Sequence, residues 1–262
     1  MAKLEWGTPN SRLYETGVDR GVLYVDGQPG VPWNGLTSVE MSPSGGGSKS
    51  YYLDGNKYLI ASSAEEFGAT INAFTYPPEF GQCDGSSSAR PGLVLTQQRR
   101  KSFGFSYRTL VGSESNGDLG YKIHLVYNAL AEPTERSYSS IGEDVEPLGF
   151  SWTINTRPPA IPGFKRTSHI EIDSRTTDAN VLALVEEALY GTDEDLARLP
   201  SFSELLEMFD AFFVFVLTDN GDGTFTISGP DEAISHLGDI YLQFDWPTVL
   251  PVDANTYTIS DG

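Results

Sequence analysis

Apolar and polar side chains alternate through "PLGFSWTINT": Leu148, Phe150, Trp152 and Ile154 fall on one side, Gly149, Ser151, Thr153 and Asn155 on the other. Successive strand side chains point to opposite faces, so this period of two predicts a strand with one buried and one polar face. "KSFGFSYRT" repeats the pattern with Phe103, Phe105 and Tyr107 against Ser102, Gly104, Ser106 and Arg108. "GYKIHLVYN" sets Tyr121, Ile123, Leu125 and Tyr127 opposite Lys122, His124 and Asn128, and "FGATINAF" aligns Phe67, Ala69, Ile71 and Ala73. "YYLDGNKYLI" reads as a hairpin about Asp54-Gly55-Asn56, whose residues tolerate positive φ. "SPSGGGS", Ser42 to Ser48, reads as a flexible loop between two strand-like segments.

Helical periodicity is rarer. "TDANVLALVEEALYG" places Val181, Leu184, Val185 and Ala188 on one stripe, so a helix is expected near 178–190, closed by Gly191. "SFSELLEMF" opens with Ser201 and Glu204 at capping-box spacing. Beyond residue 210 the strand pattern returns in "AFFVFVL", "TFTIS", "DIYLQFDW" and "TYTIS". Many short strands with turn signals between them point to a mainly β fold of sandwich or barrel type, with a flanking helix and a β-rich C-terminal segment. The expected division is a core over residues 1–200 and an acidic segment over 201–262 packed on it.

Charge sharpens that division. The formal net charge is −19. Residues 199–262 hold 11 Asp and Glu and no Lys or Arg, whereas residues 1–198 hold 17 basic and 25 acidic side chains. Such a surface repels nucleic acid and attracts basic partners. The exception is "TQQRRKSFGFSYRT", where Arg99, Arg100, Lys101 and Arg108 gather beside an alternating strand. Arg99, Arg100 and Lys101 are expected to face acidic groups of a neighbouring subunit, or of the same chain, rather than DNA. The longest apolar run, Ala211 to Leu217, is too short to span a bilayer, and the first residues lack a signal-peptide stretch. The expectation is a soluble chain kept without export.

Catalytic chemistry finds little support. Cys83 is the single cysteine, which excludes an intrachain disulfide and leaves a buried or loop thiol as the default. His124, His169 and His236 lie far apart in sequence, and none has a second ligand at zinc spacing, so surface or interface histidines are expected. "DNGDGTFTISG", from Asp219, lacks the calcium-loop ligands: its third position is Gly221 and its twelfth Pro230, so a hairpin turn accounts for it better. Glu65-Glu66 would point to opposite faces of a strand, a poor acid/base pair. No phosphate loop, dinucleotide fingerprint or nucleophile elbow occurs. No enzyme activity, cofactor or metal is expected.

A resemblance fits this absence. "GVPWNGLTSVEMSPSGG", "YLDGNKYL", "SAEEFGATINAFTYPPEFGQCDG", "QQRRKSFGFSYRT", "GYKIHLVYNALA" and "FSWTINT" resemble successive segments of the major tail protein, or tail tube protein, of long-tailed phages with flexible non-contractile tails. "DIYLQFDWPTVLPVDANTYTIS" is similar to a C-terminal portion of some members. The likeness runs from about residue 5 to the C-terminus, carried by the order of the segments rather than by one motif. It implies a β-sandwich core with a flanking helix, copies assembled into rings, commonly of six, and an inner β-barrel shared between copies. It further implies stacking around a tape-measure protein, contacts with tail terminator and tail-tip proteins, a place in the virion tail after assembly in the host cytoplasm, and passage of double-stranded DNA without specific binding. No membrane partner is implied.

An acidic conduit suits that role, because each phosphate neutralised by Lys or Arg would add affinity and friction. Ser44, Gly45, Gly46 and Gly47 are expected to reach a neighbouring subunit or ring, alongside Arg99, Arg100 and Lys101. The competing expectation is a carbohydrate-binding β-sandwich of a phage tail or virion surface, its Trp and Tyr side chains stacking on sugars. Trp152 on a buried face, and Trp33 and Trp246 beside prolines, argue against a visible sugar platform.

Overall fold

The computed structural model describes residues 12–63, 65–114, 117, 119–138, 140, 147–161, 163–211, 216–219, 224–228, 249–253 and 256–260. The chain divides into two compact units, one of residues 1–179 with 186–199 and one of residues 180–185 with 200–262. It is mainly β, with two described α-helices.

The first unit is built on an eight-stranded sheet. Its strands are β1 (Leu13–Val25), β2 (Val31–Pro32), β3 (Leu36–Met41), β8 (Gly68–Ala73), β11 (Phe103–Ser113), β12 (Gly120–Ala131), β13 (Phe150–Thr156) and β14 (His169–Asp173). The order is β2-β1-β11-β12-β13-β8-β3, with β14 also paired to β12, and every pairing is antiparallel. Strand β12 has two partners along one edge: Lys122–Val126 pair with β14 and Ala129–Ala131 with β13. Between them the register against β11 shifts, and Asn128 takes φ 51°. That bulge splits the sheet, because an extra residue bends its strand and raises the local twist.

The sheet rolls until β3 lies beside β1: a Cβ on Gly21 would come 2.9 Å from the Leu36 side chain, and Trp33 N–H donates to Gly21 O at 2.7 Å. The strand order stays open at β2 and β3, so the described strands form a rolled open sheet and not a closed barrel.

The core fills the inside of the roll. Phe103, Phe105 and Tyr107 meet Ala69, Ile71 and Ala73, together with Trp152 and Ile154, all at most 2 % exposed. A short 3₁₀ turn, Pro78–Gln82, pushes Phe80 between Trp33 and Trp152, with ring centroids 4.7 and 5.0 Å away. Trp33, beside Pro32 and just outside β2, is thus core, and its Nε1–H donates to Thr75 O.

The reverse face of β11 is buried too. Tyr24 O–H lies 3.1 Å from Ser106 Oγ and donates to Leu189 O at 2.9 Å. Leu199 presses on Gly104, where a Cβ would sit 2.5 Å from its methyl group. The Gly and Ser of "FGFSY" therefore mark close approach by residues 186–199 and not a solvated face.

Helix α1 (Ala179–Tyr190) is followed by Gly191 at φ 78°, whose N–H donates to Glu187 O. Only its residues 180–185 belong to the second unit. That unit also holds α2 (Phe202–Ala211), whose start realises the capping box: Glu204 N–H donates to Ser201 Oγ and Ser201 N–H to Glu204 Oε2, both at 3.3 Å. Strands β15 (Val216–Asp219), β16 (Thr224–Ser228), β17 (Val249–Asp253) and β18 (Thr256–Ser260) form an antiparallel sheet in the order β15-β16-β18-β17. The pairing of β15 with β16 fits the hairpin reading of "DNGDG". Its turn residues 220–223, the strand reading of "DIYLQFDW", His236, Trp246 and residues 212–215 of "AFFVFVL" lie outside the described residues.

Candidate assembly surface

Residues 36–73 form one long two-stranded ribbon. It starts as β3 against β8 inside the sheet and continues through Ser42 N–H to Gly68 O at 2.8 Å. The glycine tract follows. Ser44–Gly45 (β4) pair with Glu65–Glu66 (β7), and Ser63 N–H donates to Gly47 O at 3.1 Å. Strands β5 (Ser48–Leu53) and β6 (Asn56–Ser62) complete the ribbon, joined by a tight turn at Asp54 and Gly55, φ 49° and 79°. The hairpin foreseen from "YYLDGNKYLI" is present with that two-residue turn.

The glycine tract itself differs from a free loop. Gly45 and Gly46 hold φ 79° and 67°, a region costly to side chains with a Cβ, while the cross-strand hydrogen bonds fix their place. Glu65 and Glu66, on β7, stand on a strand as the acid/base argument required.

Beyond Met41 the ribbon leaves the sheet, and both of its edges lack a hydrogen-bonded neighbour among the described residues. Of the described side chains from Met41 to Glu66, all but half-buried Ser50 are exposed. They include Tyr52, Leu53, Tyr58, Leu59 and Ile60, each at least half exposed. A lone two-stranded ribbon is marginally stable in water, and unpaired edges and apolar patches invite association. A second ribbon, β9 (Ser87–Arg90) with β10 (Leu93–Leu95), exposes Leu93, Val94 and Leu95 in the same way. Sequence reasoning missed these surfaces as interface candidates. The available signal was apolar residues on both faces of a hairpin with too little chain beside it to cover them.

The basic stretch begins just after β10 and is not used uniformly. Arg99 is exposed and has no side-chain partner among the described residues. Arg100 turns inward: Nη1–H donates to Asp84 Oδ1 at 3.4 Å and to Ala131 O at 3.0 Å, and Arg136 pairs with the same Asp84. Lys101 is exposed and donates to Gln82 Oε1 at 2.8 Å. Arg108 forms a two-pronged pair with Asp19, its register partner on β1, at 2.7 and 2.6 Å. Ser44, Gly45, Gly46 and Gly47 lie at the base of the ribbon, all exposed.

Two histidines depart from expectation. The pairing of β12 with β14 brings His124 and His169 together, with Nδ1 of His124 3.1 Å from Nε2 of His169. His124 is 1 % exposed rather than on a surface, because both sides of the first half of β12 are covered. It continues a row of stacked rings that runs Phe105, Tyr107, His124, His169, Phe67. Its Nε2 lies 3.0 Å from Thr109 Oγ1. Burial, then the neighbouring His169, push the His124 pKa down to about 4, and burial lowers that of His169. Glu171 is held low by Lys122, which it meets at 2.8 Å.

No catalytic arrangement emerges among the described residues. Burial pushes the Cys83 thiol up to about 12, far from a reactive thiolate. Among the described residues no group of three or more His, Cys, Asp and Glu is placed to hold a metal, and no helix is long and apolar enough to cross a membrane.

No family model and no curated protein matches the chain. Among solved structures it is similar to a chain in the extended sheath-tube complex of an extracellular contractile injection system (PVC), at 12 % identity and TM-score 0.34 over 65 % of this chain and 94 % of that one. It is similar to one in the tube-terminating cap of the anti-feeding prophage, at 8 % identity and TM-score 0.33 over 66 % and 96 %. A third is Hcp1 from Flavobacterium johnsoniae, at 12 % identity and TM-score 0.28 over 60 % and 100 %. Likenesses this weak establish neither a common fold nor a common function.

Proposed function

We propose that this chain is a structural subunit that assembles with its own copies into stacked rings, forming the tail tube of a long-tailed phage with a non-contractile tail. The observation that carries the proposal is the Met41–Glu66 ribbon. It projects apolar side chains and two open strand edges that nothing described in its own unit covers. A neighbouring copy supplies cover without a new partner, and head-to-tail contacts of that kind either close as rings or propagate as tubes. The rolled open sheet fits the same role, because an open edge is where a sheet continues into the next copy.

In this reading the rings are hexamers, an inner barrel shared between copies surrounds a tape-measure protein, and terminator and tip proteins close the ends. The virion tail is where the tube works, after assembly in the host cytoplasm. The net charge of −19 supports a conduit that lets DNA pass without holding it. The burial of Trp33 and Trp152 supports a structural role over sugar binding. Size-exclusion chromatography with negative-stain microscopy of the purified chain tests the proposal. Rings or tubes uphold it; dispersed monomers that bind glycans overturn it.

A further inference from the structure

A cleft of about 860 Å³ opens in the first unit between the base of the ribbon and Pro158 with Lys165–His169. Gly46 and Glu65 line it from the ribbon; Lys165, Arg166, Ser168 and His169 line it from the other side. Three features make it unlike an ordinary surface hollow.

Lys165 and Arg166 are both exposed, and neither has a carboxylate within salt-bridge distance among the described residues. Seven other Lys and Arg side chains do have one. The chain carries 36 Asp and Glu against 17 Lys and Arg, and this cleft sets two adjacent cations without such a partner side by side. Second, Ser168 is 1 % exposed, and its Oγ is buried with no hydrogen-bond partner among the described residues. Buried hydroxyls are nearly always satisfied, and an orphan one costs free energy. Third, the walls are set. Phe67 stacks on His169 with centroids 4.7 Å apart and planes 13° from parallel.

We propose that this cleft receives a carboxylate side chain from a second copy of the chain, held by Lys165 and Arg166. The inference rests on the self-assembling reading above and adds the place and chemistry of one contact. Charge complementarity selects the occupant. The chain offers a surplus of carboxylates, and residues 199–262 alone carry 11 with no Lys or Arg. Nucleic acid fits less well, because a run of phosphates would also meet Glu65 at the cleft and the field of a −19 chain. A guanidinium beside an ammonium suits one carboxylate, the first offering a planar fork and the second a point charge.

Zero-length carbodiimide cross-linking of the full chain, mixed as equal ¹⁴N- and ¹⁵N-labelled copies, tests this directly. The expected product joins Lys165 to an Asp or Glu in peptides of mixed label. The companion variant is Lys165→Glu with Arg166→Glu. Both sites are exposed, so its melting temperature should match wild type, while the concentration needed for assembly rises by about tenfold. If rings form and mixed-label links appear elsewhere but Lys165 links only within one copy or not at all, the inference fails and the tube reading stands. If wild type retards a short DNA duplex and the double variant does not, the cleft is a nucleic-acid site and the inference fails. If neither rings nor any mixed-label product forms, both readings fall.

Discussion

Acidification should destabilise the first unit through His124, and by an amount the structure sets. The ring is buried against Tyr107, Thr109 and His169, with Glu171, Glu15 and Lys122 as the nearby charges. Nδ1 faces His169 Nε2, so one of these nitrogens must accept for the other to donate. The pair therefore tolerates neutrality or a single proton, and two imidazolium ions would aim N–H groups at each other. Folding lowers the His124 pKa from 6.5 to about 4, so the unfolded chain binds the proton more readily. That makes stability full above pH 6.5 and progressively lost as pH falls toward 4. Each unit in that window is worth about 1.4 kcal/mol, so about 2 kcal/mol is lost between pH 6.5 and 5.0. His169, also lowered, adds in the same direction.

Glu171 and Asp173 are lowered carboxylates whose contributions are lost only nearer their own range, so pH 5 separates the histidines from them. Relief of charge repulsion on acidification acts on any variant alike. The assay is urea unfolding at pH 7.5 and 5.0, on dilute dispersed chain, of wild type and His124→Phe. Phenylalanine keeps a ring against Tyr107 and removes the titration. Wild type should lose about 2 kcal/mol more than the variant does over this range. Equal losses, or none in wild type, would refute the buried neutral pair.

Three further outcomes are expected. Gly104→Val drives a side chain into Leu199, 2.5 Å from the added Cβ, and should cost about 1–3 kcal/mol, seen as a lower melting temperature. Arg99→Glu should leave that temperature unchanged and weaken assembly, with recovery in high salt, whereas Arg100→Glu should destabilise the monomer by about 1–3 kcal/mol because the Ala131 carbonyl loses its donor and a carboxylate is set beside Asp84, which keeps only Arg136. Tyr58→Ser with Ile60→Ser, on the exposed ribbon, should not lower the melting temperature yet should stop assembly; each buried apolar side chain there is worth about 1.5–3 kcal/mol at a repeated contact. Light scattering against concentration reads the last two.

Local alternation exposed much of the first unit. The apolar faces of β8, β11 and β13 are those that "FGATINAF", "KSFGFSYRT" and "PLGFSWTINT" display, because each needs only period two and one core. Features that depend on distant pairing were hidden. Ser106 and Gly104 look solvated until residues 186–199 are laid over them, 80 or more positions away. His124 and His169 are 45 residues apart and meet only through the β12–β14 register. The glycine tract looks free because its partner, Glu65-Glu66, lies across a hairpin with no side-chain signal for pairing. At the candidate surface, Arg99, Arg100 and Lys101 read as one patch, yet Arg100 turns to Asp84 and Arg99 stays outside.

The most direct measurement is electron microscopy of the purified full chain across a concentration series at moderate salt. The account predicts rings that stack into tubes, with the Met41–Glu66 ribbon lying between copies in the averaged density. Dispersed monomers at every concentration, or tubes in which that ribbon faces only solvent, would contradict it.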